Sequence, residues 1–138
     1  MKINICLYGR FNNRLSQTAG AEGYQEIKSL INRNPDFEFR IWAYSNDLQS
    51  QEEIRQLYEP MGATIVVEEG PDFKSIINES KIEVEKFVPP DSSRGFETTF
   101  AFLYSRKKAL ELMNQSPDSA HADWIIVSRF DSGQIDRF

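Results

Sequence analysis

A chain of 138 residues with 16 Lys and Arg against 21 Asp and Glu carries a formal charge of −5, and its acidic pI, near 4.9, argues against general nucleic-acid binding. Its length suits one domain with a self-sufficient core, and a composition of 40 % apolar and 27 % charged residues excludes a disordered chain. One cysteine, Cys6, and one histidine, His121, exclude an intramolecular disulfide and a Cys- or His-based zinc site.

The first element is the apolar run Ile3-Asn4-Ile5-Cys6-Leu7-Tyr8, bounded by Gly9, which predicts a buried strand with Cys6 as a small core residue. Gly9-Arg10-Phe11-Asn12-Asn13-Arg14 is then a polar loop. Tyr24, Ile27 and Ile31 at helical spacing predict a helix over 19–33, stopped by Pro35. Alternation in Phe37-Glu38-Phe39-Arg40-Ile41-Trp42 predicts a second strand to about residue 44, followed by the loop Ser45-Asn46-Asp47. Ile54, Leu57 and Tyr58 mark a second helix over 51–59, with Gly62 as its stop. A third strand follows at 63–67. Residues 71–96 hold a helical turn at 74–78, a short strand at 82–84 and a loop at 89–93; their length and Pro and Ser content read as either a lid closing over a bound donor or an ordered excursion. A long helix over 97–114 carries the stripe Phe100, Leu103, Leu110 and Met113, and Phe96, Phe102, Tyr104, Trp42 and Trp124 read as further core. After the break at Ser116-Pro117-Asp118-Ser119, residues 123–130 form a fourth buried strand, ending in Asp131-Ser132-Gly133.

Apolar strands alternating with helices through short connections predict an α/β fold: a Rossmann-like open sheet, mostly parallel, with helices on both faces, in a single domain over 1–138. No apolar run reaches the roughly 18 residues of a membrane span. The start of the chain lacks the apolar core and cleavage site of a signal peptide. The expectation is a cytoplasmic protein with no membrane span and no nucleic-acid partner.

In an open parallel sheet, ligands bind beyond the carboxyl ends of the strands. There the sequence puts Tyr8, Gly9 and Arg10, then Ser45, Asn46 and Asp47, then Arg129, Asp131 and Ser132. Guanidinium forks suit phosphate, and a carboxylate beside phosphates suits magnesium or manganese. Together they predict a nucleotide diphosphate held through a metal. No G-x-G-x-x-G, Walker or G-x-S-x-G motif is present, and Tyr8-Gly9-Arg10 stands where a phospho-receiver domain has its acidic cluster. Each residue has an ordinary alternative: Asp131 as a turn residue, Asp47 as a cap before the second helix, and Arg10, Arg14, Arg129 and Arg106-Lys107-Lys108 as solvated surface charge.

The helix segment Ser105-Arg106-Lys107-Lys108-Ala109-Leu110, followed by Ala122-Asp123-Trp124-Ile125-Ile126-Val127-Ser128-Arg129-Phe130-Asp131, resembles the run that precedes the metal-binding Asp-x-Asp motif of GT-A-type glycosyltransferases. The opening strand and loop to Arg10 resemble the nucleotide-binding start of the same domain. The resemblance implies a donor-binding half that holds a nucleotide-diphosphate sugar and transfers the sugar to an acceptor, which is a glycan, a lipid or a protein. Carried over, Asp131 would ligate Mn2+ or Mg2+, Tyr8, Gly9 and Arg10 would line the nucleotide, and Arg106 or Lys107 would approach the diphosphate. Arg129 and Asp47 complete the expected nucleotide-sugar site. The second motif aspartate is replaced by Gly133, with Asp136 nearby in sequence, and the family's acceptor half follows the motif, so the chain reads as either a fragment of a longer protein or a donor-half remnant. The alternatives are a truncated, non-catalytic nucleotide-binding or protein-interaction α/β domain, and an unrelated flavodoxin-like scaffold.

Overall fold

The computed structural model describes residues 1–13, 15–81 and 95–132. The expected strand at 82–84, the loop at 89–93, Arg14 and Gly133 lie outside the described residues. Four strands, β1 (Lys2–Tyr8), β2 (Glu38–Ser45), β3 (Thr64–Val67) and β4 (Trp124–Arg129), make one sheet in the order β3-β2-β1-β4. Every neighbouring pair is parallel. The helices are α1 (Ala19–Arg33), α2 (Gln51–Tyr58), α3 (Phe73–Glu79) and α4 (Gly95–Asn114). This is the open α/β, Rossmann-like sheet that the pattern predicts.

The period of two along each strand divides the core into two layers. Ile3, Ile5 and Leu7 of β1, with Ile41 and Ala43 of β2, pack against Ile27 of α1 and Ile54 and Tyr58 of α2. Cys6, Tyr8, Trp42 and Tyr44 face the other way and pack against Ala109 and Met113 of α4. Asn4 shares that second face and stays buried because its Nδ2 donates to the Ser119 carbonyl at 3.0 Å. β1 is therefore covered on both sides from Ile3 on, which is why it reads as a nearly continuous apolar run, while β2 is covered only from Ile41 on and alternates before it.

Two expected core residues are exposed. Trp124 is 65 % accessible, against 2 % for Trp42, and its neighbour Ile125 is 51 % accessible. Among the described residues β4 pairs only with β1, so its start is left at the sheet edge. Leu103 is also exposed. The buried line of α4 runs through Ser105, Ala109 and Met113, four residues apart, and Leu103 falls off it.

The connections create one special position. The chain steps from β1 to β2 to β3 in one direction across the sheet, with α1 and α2 on one face. It then returns through α4 on the other face and adds β4 on the far side of β1. The junction of β1 and β4 is thus the topological switch point, where open α/β sheets have their ligand crevice. Tyr8 is in register with Arg129, so the two strands end level there.

Candidate functional site

Tyr8 closes β1 on the α4 side, and its buried ring packs edge-on against Phe102, with centroids 5.1 Å apart. Arg129 closes β4, with its guanidinium 5.3 Å from the centroid of the same Phe102 ring. Two residues on, Asp131 Oδ2 accepts from Arg129 Nη2 at 2.7 Å and from Asn13 Nδ2 at 3.4 Å. The pair is asymmetric: the Asp131 side chain is 4 % exposed and that of Arg129 43 %.

Phe130, between them, is the anchor. It is fully buried, edge-on to Phe11 and Tyr58, with centroids 6.1 and 5.8 Å away. Its N–H donates to the Tyr8 carbonyl at 3.3 Å, extending the β1–β4 ladder one step. Alternation then turns Arg129 and Asp131 away from Phe130 and toward Tyr8. The approach of α1 secures the same corner. A Cβ on Gly23 would overlap the Phe130 carbonyl oxygen, and one on Gly20 would overlap the Phe11 carbonyl oxygen and ring. Only glycine lets the helix lie this close.

Arg106 of α4 joins the cluster electrostatically. Burial raises the Tyr8 phenol above its ordinary pKa, the charges of Arg106 and Arg129 pull it back, and Asp131 pushes it up. Tyr8, Arg129 and Asp131 thus meet at the switch point, and the charge of Arg106 acts on Tyr8 from α4. Arg10 is exposed at the start of the loop. Gly9 adopts φ +92°, and its carbonyl accepts the Ser45 hydroxyl at 2.7 Å, tying the ends of β1 and β2 together.

The other expected residues do different work. Asp47 accepts the Ser50 hydroxyl at 2.9 Å, and its N–H donates to Ser45 Oγ at 3.0 Å. It stands at the N-cap of the short 3-10 turn Leu48–Ser50 that leads into α2. Lys107 is exposed and pairs with Glu111 one turn on at 3.7 Å. Lys108 lies over the Tyr104 ring at 5.8 Å. The basic run thus divides around the helix, and only Arg106 is among the charges acting on Tyr8.

Two groups had no clear signal in the sequence. Asn12 and Asn13 organise the loop before α1: Asn12 Oδ1 accepts the Gly20 N–H at 3.2 Å, and Asn13 Oδ1 accepts the N–H groups of Leu15 and Ser16 at 2.9 and 2.8 Å. A paired Asn ahead of a helix is the only hint, since Asn readily bonds nearby backbone. The second group spans distant elements. Tyr44 donates to Glu68 at 2.6 Å, while Asn46 donates to Tyr44 and accepts from Ser105 Oγ at 3.3 Å.

No family model, curated protein or solved structure matches this chain.

The resemblance implies a divalent cation at Asp131. Among the described residues no group of three His, Cys, Asp or Glu side chains converges. Among the described residues, the carboxylate at the switch point is Asp131, which is buried and already bound to a guanidinium. A metal ion on Asp131 would sit beside that positive charge, and two like unit charges 4 Å apart repel by about 4 kcal/mol at an effective dielectric of 20. The described residues by themselves do not make a site for a resident metal. What they offer is the Arg129 guanidinium and the Tyr8 phenol at the ends of adjacent strands, with the charge of Arg106 acting on the phenol, chemistry suited to a phosphate anion.

Proposed function

We propose that this chain is the nucleotide-diphosphate-sugar-binding domain of a glycosyltransferase, with its donor crevice between β1 and β4. One observation carries the reading: the parallel order β3-β2-β1-β4 has its switch point where Tyr8, Arg129 and Asp131 meet at the ends of β1 and β4. In glycosyl transfer the sugar–phosphate bond breaks and negative charge grows on the leaving diphosphate. Fixed guanidinium groups beside that oxygen would stabilise the charge more strongly than water does. The acceptor is a glycan, lipid or protein hydroxyl. Calorimetric titration of UDP and GDP tests the reading: saturable binding of one of them, weakened in Tyr8→Ala, supports it. Absence of binding by both, with and without manganese, removes it.

A second reading has its own observation. Trp124 and Ile125 lie exposed on β4, and an edge strand with large apolar side chains suits a protein partner. A domain of that kind would bind no nucleotide.

No described helix is long and apolar enough to cross a membrane.

A further inference from the structure

We propose that the guanidinium of Arg129, oriented by Asp131, takes the place of a divalent cation, so that the switch-point crevice binds a diphosphate without metal. The inference rests on the donor-site reading above and specifies its electrostatics. Asp131 is held through Oδ2 by both Arg129 and Asn13 and is almost wholly buried, so it faces a guanidinium and an amide rather than solvent. Its charge is spent in orienting Arg129. The contact uses Nη2 and leaves the remaining N–H donors of the fork, on a side chain 43 % exposed, for an anion. The Phe102 ring beneath the guanidinium restricts its plane, and Phe102 is itself fixed by Tyr8. The charge of Arg106 also acts on Tyr8. Among the described residues, Arg129 cancels Asp131 and Arg106 leaves the surroundings of Tyr8 positive, which suits an anion and opposes a cation. Asp131 is here a positioning residue, and Arg129 makes the contact.

The test uses inorganic pyrophosphate, UDP and GDP, each titrated calorimetrically into the full chain in EDTA and again in manganese. Pyrophosphate and a nucleoside diphosphate are expected to bind in EDTA with affinities within about twofold of those in manganese. Arg129→Gln is expected to weaken binding at least tenfold, Arg129→Lys less, and Asp131→Asn less than Arg129→Gln, equally in both buffers. Thermal melts matching the parent show that each variant folds, and Arg129→Lys serves if Arg129→Gln does not. Binding that requires manganese and is abolished by Asp131→Asn overturns the inference while leaving the nucleotide reading intact. Metal-free, Arg129-dependent binding of pyrophosphate with no gain from the nucleoside supports the inference and removes the nucleotide reading. No binding of any of the three overturns both.

Discussion

Gly23→Ala is a small change with a large expected effect. A Cβ at this position would press into the Phe130 carbonyl oxygen, far inside the 3.0 Å that real Cβ atoms keep from their neighbours. The opposing atom is backbone, fixed by the N–H bond of Phe130 to Tyr8 and by the buried Phe130 ring. The helix must therefore retreat by about 1 Å at this turn. Exposed helices gain up to about 1 kcal/mol from Gly→Ala. Here that gain is outweighed, because overpacking costs about 1–3 kcal/mol and the retreat also loosens Ile27 and Tyr24 against the sheet. We expect a net loss of about 1–3 kcal/mol in urea unfolding, together with weaker nucleotide binding, since Asp131 follows Phe130 directly. Ala at a solvent-facing position of α1, such as Gln25→Ala, should leave stability within about 0.5 kcal/mol. A Gly23→Ala variant as stable as the parent would refute the close-approach argument.

The Tyr58 hydroxyl is fully buried with no hydrogen-bond partner among the described residues, so Tyr58→Phe should be neutral or stabilising by about 1 kcal/mol in urea unfolding; a loss above that size would reveal a partner. Asp47→Ala removes the acceptor of the Ser50 hydroxyl and should lower stability by about 0.5–1 kcal/mol in urea unfolding, leaving UDP or GDP affinity unchanged in calorimetry. Burial pushes the Cys6 thiol up from 9.0 to about 11, and burial also raises Tyr8, Tyr44 and Tyr58. The folded form holds these protons longer than the unfolded chain, so stability is complete below pH 9 and falls as pH rises toward 11, by about 1.4 kcal/mol per unit for each group in its window. Urea midpoints that do not move between pH 8 and 10.5 would contradict this. The same burial keeps Cys6 unreactive toward a thiol reagent at pH 8 in the native protein, with full reaction expected in denaturant.

The fold was largely legible because local signals and tertiary context agree. The period around Tyr24, Ile27 and Ile31 and the stop at Pro35 define α1 because its buried face and its end both obey local rules. The continuous run of β1 identifies a strand covered on two faces. Trp124 is exposed for a reason outside its own segment: a strand's hydrophobicity does not say whether it has neighbours on one side or two. Leu103 shows the same limit in a helix, where its neighbours are apolar nearly all round and the stripe is fixed only by the sheet beneath. At the site, Tyr8, Arg129 and Asp131 were recognisable because a strand's end is visible in sequence. Arg106 could be separated from Lys107 and Lys108 only once the helix was docked. The close approach of Gly20 and Gly23 and the Tyr44–Glu68–Asn46–Ser105 bonds depend on partners far along the chain, and no local pattern encodes them.

The pairing of β1 with β4 has a consequence for how the molecule is made. Ile3 lies beside Trp124, so a central strand from the start of the chain waits for a partner more than 100 residues later. During synthesis β1 can pair with β2 early, but its other edge, with Ile5, Cys6 and Leu7, stays open until residues 124–129 emerge. Such long-range parallel pairing is slow to form, and an open apolar edge invites contact with other chains in the interval. The crevice between Tyr8 and Arg129 comes into being only at that last step. A ligand that holds both strands would therefore act chiefly on completed molecules, slowing their opening more than it hastens their folding.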